Sequence, residues 1–207
     1  MAEPTSGAWK GLHAVVGGWM LRNPLRRRRL APFVGKVIAA LPDEGTVLDV
    51  GAGNGAVTLQ IARKAAGARI IALDLSASML GKLRALAERE GLGERIETRV
   101  ADAAATGLEP ESVDVVTCTY LLHELPDPSA AIGEMVRVLR PGGRLLLRDF
   151  APGRTFSLMT IFGRFHHKDA HGPLGEEELR AALGSTLSFD IERSGSEYTV
   201  SCAKEAP

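Results

Sequence analysis

Val47-Leu48-Asp49-Val50-Gly51-Ala52-Gly53-Asn54-Gly55 decides the fold of this chain. An apolar run carrying one acid meets three glycines at alternate positions, and an amphipathic segment follows directly. A buried strand that turns sharply into a helix reads this way. Glycine at 51, 53 and 55 allows the turn and lets a ligand approach the backbone without Cβ clashes. Gly51-x-Gly53-x-x-Ala56 also satisfies the spacing for dinucleotide binding, so the loop alone specifies a nucleoside cofactor and no more.

Outward from this stretch, apolar runs alternate with amphipathic ones, which predicts an α/β fold with a mainly parallel sheet. Strands are expected at Thr46–Val50, Arg69–Leu73, Ile96–Val100, Val113–Thr119 and Arg144–Phe150. They are rich in Val, Ile and Leu without strict alternation, as when helices cover both faces. Helices are expected at Ala56–Ala66, at Ser76–Glu90 with Ser76 as N-cap, and at Asp127–Leu139, the last stopped by Arg140-Pro141-Gly142-Gly143. After an irregular stretch, Ala151–Gly175, come a short helix at Glu176–Leu183 and a hairpin of Leu187–Arg193 and Glu197–Ala203 joined at Ser194-Gly195.

The first 45 residues have a different texture. Trp9, Leu12, Val15, Val16, Trp19 and Met20 share one side of a helical wheel, and a second helix is expected at Pro32–Leu41. Arg26-Arg27-Arg28-Arg29 between them reads as a solvated corner or helix face.

Composition narrows the function classes. The chain has 207 residues, enough for one sizeable core, with 45% hydrophobic and 24% charged residues. Its 25 basic and 25 acidic side chains cancel, so no general electrostatic pull toward nucleic acid or anionic membrane is expected. Cys118 and Cys202 sit in strand-like runs without metal or redox spacing, and two free buried thiols suit a reducing cytosol. No run approaches the ~20 apolar residues of a membrane span, and nothing at the start reads as a signal peptide, so a cytoplasmic, soluble protein is expected.

Two acids extend the ligand reading. Asp74 ends the second strand, 23 positions beyond Gly51, where a carboxylate can accept from both hydroxyls of a ribose. Asp102 follows the third strand in Val100-Ala101-Asp102-Ala103 and could accept from the amino group of adenine. Taken singly, a turn aspartate is as readily a local cap.

With these residues in place the chain resembles the class I S-adenosylmethionine-dependent methyltransferases, in the small branch that includes quinone-biosynthesis-like enzymes. The resemblance covers about residues 44 to 150. It rests on Leu48–Gly55, Leu73-Asp74-Leu75-Ser76 with Met79, Ala101-Asp102-Ala103, Tyr120-Leu121-Leu122-His123-Glu124-Leu125-Pro126-Asp127, and Val138–Gly143. It implies a Rossmann-like sheet of seven strands, mostly parallel, with helices on both faces and an antiparallel C-terminal strand. It also implies S-adenosyl-L-methionine as cofactor, S-adenosyl-L-homocysteine as product and a small-molecule acceptor. In that reading Asp49, Gly51, Ala52, Gly53 and Asn54 shape the turn around the methionine end of the cofactor. Asp74 grips the ribose, Leu75 packs on adenine with Met79 nearby, and Asp102 and Ala103 meet the adenine amino group. Thr119 and Tyr120 pass along the methionine portion toward the acceptor. Residues 1–43 would form an N-terminal helical segment or lid on a domain spanning 44–207, and residues 151–175 would help cover the acceptor.

Methyl transfer from a sulfonium is a direct displacement, so alignment and exclusion of water are the main tasks. A general base is needed only for a protonated acceptor. His123, just after the fourth strand, is the candidate base; the alternative is that it caps or packs at the turn. Tyr120 would hydrogen-bond the acceptor or pack. Trp9, Trp19 and the stretch holding Phe162, Phe165, His166, His167, Asp169 and His171 are candidates for the acceptor pocket. That stretch matches no standard zinc spacing, and no metal is assigned. Two rivals stay open: a non-catalytic cofactor-binding protein on the same fold, and an NAD(P)-dependent oxidoreductase. Position 124 is Glu, so Tyr120 lacks the Lys four residues on that a short-chain reductase needs. Nothing in the residues names the acceptor, or chooses between monomer and homodimer.

Overall fold

β1 (Thr46–Val50) is almost wholly buried, and the strands on either side of it set the architecture. The computed structural model describes residues 24–153, 170–184 and 187–205. In chain order the elements are α1 (Pro24–Ala39), β1, α2 (Thr58–Lys64), β2 (Arg69–Asp74), α3 (Ala77–Arg89), β3 (Ile96–Val100), β4 (Val113–Thr119), α4 (Pro128–Val138), β5 (Leu139–Phe150), α5 (Glu176–Leu183), β6 (Leu187–Ser194) and β7 (Glu197–Lys204). One seven-stranded sheet runs β3-β2-β1-β4-β5-β7-β6. Only β7 opposes its neighbours: β1, β2, β3, β4 and β5 pair in parallel, while β5–β7 and β6–β7 are antiparallel. The expected α/β fold with an antiparallel C-terminal strand is the observed one.

The chain winds outward from β1 to β2 and β3, then returns to place β4 on the other side of β1. That reversal is a topological switch point, and open α/β sheets bind ligands at the carboxyl ends of the strands there. Gly51 leaves β1 and Tyr120 leaves β4 at this point.

Two apolar clusters cover the faces. On one, Leu30, Phe33, Val34 and Val37 of α1 pack with Val47, Ile61, Leu80, Leu83 and Leu146. On the other, Ile132, Met135 and Val138 of α4 and Leu179 and Leu183 of α5 pack with Leu48, Val116, Leu147 and Val200. Helix starts follow capping chemistry. Ser76 accepts from Met79 N at 3.3 Å and Asp127 from Ala130 N at 3.0 Å, each contributing about 1 kcal/mol. Cys118 and Cys202 are free and buried, as read from the sequence.

Several boundaries differ from expectation. Helix α1 begins at Pro24 rather than Pro32 and takes both Arg26–Arg29 and Pro32 into one helix. Proline favours a first helical turn, but packing of Leu30 beside Phe33 and Val34 carries the helix through it. Turn residues extend to Val57, so α2 starts at Thr58 instead of Ala56. The Arg140–Gly143 stop does end a helix, yet β5 already begins at Leu139, which pairs with Val113 before a bulge resets the register at Arg144. The hairpin turn is Gly195-Ser196, one residue later than expected, with Gly195 at φ +62°. Trp9, Trp19, Phe162, Phe165, His166, His167 and Asp169 lie outside the described residues.

Tyr198 on β7 is 2% exposed and its hydroxyl has no hydrogen-bond partner among the described residues. A buried, unsatisfied hydroxyl costs roughly 1–3 kcal/mol. Tyr198→Phe is therefore expected to leave stability unchanged or raise it by about 1 kcal/mol or more, read as a higher urea midpoint. A clear loss would mean that the phenol is satisfied in solution.

Candidate functional site

The glycine turn is built from left-handed backbone. Gly51, Gly53 and Gly55 have φ of +71°, +55° and +89°. A Cβ at Gly55 would overlap Leu83 Cδ1, and one at Gly51 would lie 2.9 Å from Leu121 Cδ2. At Gly53 it would meet only Met79 Cε at 3.5 Å, so there the backbone angle alone demands glycine. Gly51 N and Ala52 N both donate to Leu73 O, at 2.8 and 2.9 Å, tying the turn to β2.

Asp74 sits beside that turn at the end of β2. One carboxylate oxygen accepts from Gly53 N at 2.8 Å and the other from Ser76 N at 2.8 Å. Burial pushes its pKa up, against the pull of those two bonds. Each oxygen can accept a second bond, which leaves the geometry a pair of ribose hydroxyls requires. Leu75 and Val100 are 67% and 58% exposed, large apolar side chains set in solvent at the ends of β2 and β3. Asp74 and Val100 are register partners, so the two apolar groups flank the acid. An exposed apolar pair beside an acid with spare acceptor sites has the chemistry to take a purine ring. Asp102 is exposed, closes a local turn by accepting from Ala104 N at 2.8 Å, and stands next to buried Ala103.

Across the switch point, Thr119 ends β4 and Tyr120 takes φ +54°. The short 3-10 turn Leu122–Glu124 follows and carries His123, 5% exposed. His123 Nδ1 lies 2.6 Å from Asp149 Oδ1, and the ring meets Phe150 edge-on at 5.0 Å. Asp149 Oδ2 also accepts from His123 N at 3.3 Å. A carboxylate only accepts, so Nδ1 carries the proton and Nε2 is the basic nitrogen of the neutral ring. Glu124 Oε1 lies 3.7 Å from Nε2. Burial works against the charge on this imidazole. The hydrogen bond and negative charge of Asp149, with Glu124 adding, outweigh it and hold the pKa above its ordinary value. A cavity of about 270 Å³ at the opposite edge of the sheet is lined by Arg69, Arg95 and Arg140 among others. Arg95 is committed there to Ala62 O and Ala65 O, and Arg140 to Asp114.

Residues 48–147 match the family described as a methyltransferase domain. A ubiquinone/menaquinone biosynthesis C-methyltransferase of Dinoroseobacter shibae is 37% identical over 105 residues, 51% of this chain and 42% of that protein. A ubiquinone biosynthesis O-methyltransferase of Aeromonas salmonicida is 31% identical over 157 residues, 76% of this chain and 60% of that protein. Residues 48–147 are thus a methyltransferase domain. The chain spans about half the length of the curated relatives it matches. Among solved structures, an S-adenosylmethionine-dependent methyltransferase from Aquifex aeolicus superposes with TM-score 0.71 at 20% identity, covering 91% of this chain and 97% of that one. The [4+2]-cyclase SpnF does so at 0.73 and 18%, covering 86% and 81%. A cyclase on the same fold shows that the fold by itself does not choose the reaction.

The structure gathers Asp49, Gly51, Ala52, Gly53, Asn54, Asp74, Leu75, Met79, Asp102, Ala103, Thr119, Tyr120 and His123 at or beneath the carboxyl ends of β1 to β4. Asp49 is the most deeply set: it is 1% exposed and accepts from Thr58 Oγ1 at 2.5 Å, bracing the turn from inside. The phenol of Tyr120 is bonded to Glu197 and Arg148. Sequence reading missed Thr58, Val100, Asp149, Arg148 and Glu197. The one visible sign was Arg148-Asp149, a charged pair closing the apolar run Leu145-Leu146-Leu147.

Burial lifts the Asp49 carboxyl to about 7, against the bonds from Thr58 and with the charge of Asp74 adding. The folded state thus keeps a proton that the unfolded chain releases near pH 4. Stability contributed by this group is full below about pH 4 and falls as pH rises to about 7, by on the order of 4 kcal/mol. Asp49→Asn is expected to flatten that part of the slope when urea midpoints at pH 5 and 8 are compared with the parent. An identical slope in the variant would place the proton elsewhere.

Proposed function

We propose that the protein transfers a methyl group from S-adenosyl-L-methionine to a hydroxyl of a small aromatic acceptor of hydroquinone or catechol type. The observation that carries the reading is the buried His123–Asp149 pair at 2.6 Å, on the same sheet edge as the glycine turn. The named activities of the relatives, C- and O-methylation in quinone biosynthesis, support a phenolic ring as acceptor.

The residues present fit the cofactor. Gly51 and Gly53 would admit its methionine end to the backbone, Asp74 would accept from the ribose, and Leu75 and Val100 would sandwich the adenine with Asp102 at its amino group. When bound, the cofactor supplies an electrophilic methyl carbon on a positively charged sulfur. Asp149 holds the Nδ1 proton of His123 and so presents Nε2 as the proton acceptor. His123 Nε2 would take the phenolic proton, leaving the acceptor oxygen as the nucleophile toward that methyl carbon. Asp149 stabilises the imidazolium that results.

The test is transfer of radiolabelled methyl from S-adenosylmethionine to catechol, a hydroquinone and an aliphatic amine, by the whole chain. Label in the phenolic ethers alone supports the reading. Label only in the amine, or only on ring carbon, refutes the acceptor assignment while leaving the family intact.

A further inference from the structure

Among the described residues only two non-glycines have positive φ, Glu111 and Tyr120. Glu111 lies in an exposed turn at the amino end of β4. Tyr120 is different, because it sits at the switch point and a large side chain resists that conformation. A left-handed residue of this kind is disfavoured by roughly 5- to 100-fold and persists only where its surroundings over-determine it. Three bonds do so. Tyr120 N donates to Arg148 O at 2.8 Å, its hydroxyl donates to Glu197 Oε1 at 3.0 Å, and Arg148 Nε donates to the same hydroxyl at 3.1 Å. Arg148 Nη2 closes the triangle on Glu197 Oε2 at 2.5 Å. The Arg148 and Glu197 side chains are only 14% and 16% exposed, and Phe150 stacks at a tilt 5.2 Å from the Tyr120 ring.

The strained turn has a visible product. Residue 121 follows immediately, and Leu121 lies so close to Gly51 that a Cβ there would sit 2.9 Å from its Cδ2 and 3.1 Å from its Cβ. Two left-handed residues, Gly51 leaving β1 and Tyr120 leaving β4, are thereby locked face to face across the switch point. We propose that Arg148 and Glu197 are positioning residues that clamp Tyr120 in its left-handed turn, so that Leu121 closes on Gly51 and preshapes the site for the methionine end of the cofactor. The proposal rests on the glycine turn being the cofactor site. Neither side chain needs to touch a ligand. Their leverage comes from tying the ends of β5 and β7 to a turn that would relax without them.

Glycine takes that backbone freely, so Tyr120→Gly removes the need for a clamp. The experiment is a double-mutant cycle of Glu197→Ala in the parent and in the Tyr120→Gly variant, read by urea unfolding without cofactor and by calorimetric affinity for S-adenosylhomocysteine. Glu197→Ala is expected to lower the folding constant markedly more in the parent than in the Tyr120→Gly variant. It is expected to weaken the affinity by roughly 5- to 100-fold in the parent and by no more than about twofold in the variant. Equal unfolding costs in the two backgrounds would overturn the clamp. Coupling in unfolding with none in affinity would overturn the positioning role and leave a purely structural triangle. If the parent protein binds no S-adenosylhomocysteine, the cofactor reading fails and the positioning role with it, whatever the unfolding cycle shows.

Discussion

Asp74→Ala is expected to lower the affinity for S-adenosylhomocysteine by about 10²- to 10⁴-fold. The carboxylate would lose two charge-assisted hydrogen bonds to the ribose, each contributing roughly 1.5–3 kcal/mol. It would also release Gly53 N and Ser76 N, so the turn and the start of α3 lose their common anchor. Asp74→Asn keeps one acceptor oxygen and should fall between the variant and the parent. Titration calorimetry on folded protein, with circular dichroism to confirm the fold, measures all three. An unchanged affinity in Asp74→Ala would move the ribose away from β2 altogether.

The second large effect concerns rate rather than binding. His123→Ala is expected to reduce kcat toward a phenolic acceptor by about 10²- to 10⁴-fold, the range for loss of a positioned base. Affinity for S-adenosylhomocysteine should stay within about twofold, because the imidazole is assigned to the acceptor. The pH profile adds a signed check. Only the neutral ring accepts a proton, so kcat rises with pH through an imidazole pKa that Asp149 and Glu124 hold above its usual value. Asp149→Asn removes the charge that holds it there, and the midpoint of that rise should move to lower pH while the plateau falls. Stability responds with the opposite sign. The contribution of the His123–Asp149 pair is complete below about pH 6.5 and is lost as pH rises through the higher folded value. If His123→Ala costs stability but leaves kcat intact, the pair is a staple between the 3-10 turn and β5 and nothing more.

What could be read from the chain alone follows a physical divide. The buried parallel strands announce themselves as short Val/Ile/Leu runs, and the turn at Gly51 to Gly55 is forced by backbone angles that only glycine tolerates. The positions of Asp74 and Asp102 were legible because one ends a strand and the other closely follows one on the same sheet edge. Helix α1 was cut short at Pro32, since the packing that carries it through proline is tertiary. The partners of the site residues were invisible for a related reason. Asp149 lies 26 positions from His123, and Glu197 lies 77 from Tyr120. They meet through the register of β5 and β7, where Asp149 faces Tyr198 and Phe150 faces Glu197. One sequence does not encode register in any local pattern, so the site's supporting groups emerge only once the strands are laid side by side. The exposed Leu75 and Val100 belong to the same class, because exposure depends on where β2 and β3 end in the folded sheet.

The most direct test of the cofactor assignment is the thermal unfolding of the whole chain with S-adenosylhomocysteine, S-adenosylmethionine, NAD and NADP, each at about 100 times a typical dissociation constant. Binding at that excess adds about 2.7 kcal/mol, or roughly 5–10 °C in Tm for a chain of this length. A rise with the two sulfur nucleosides and none with the dinucleotides is the expected result. A rise with NAD or NADP alone would contradict it and make the glycine turn at Gly51 to Gly55 a dinucleotide site.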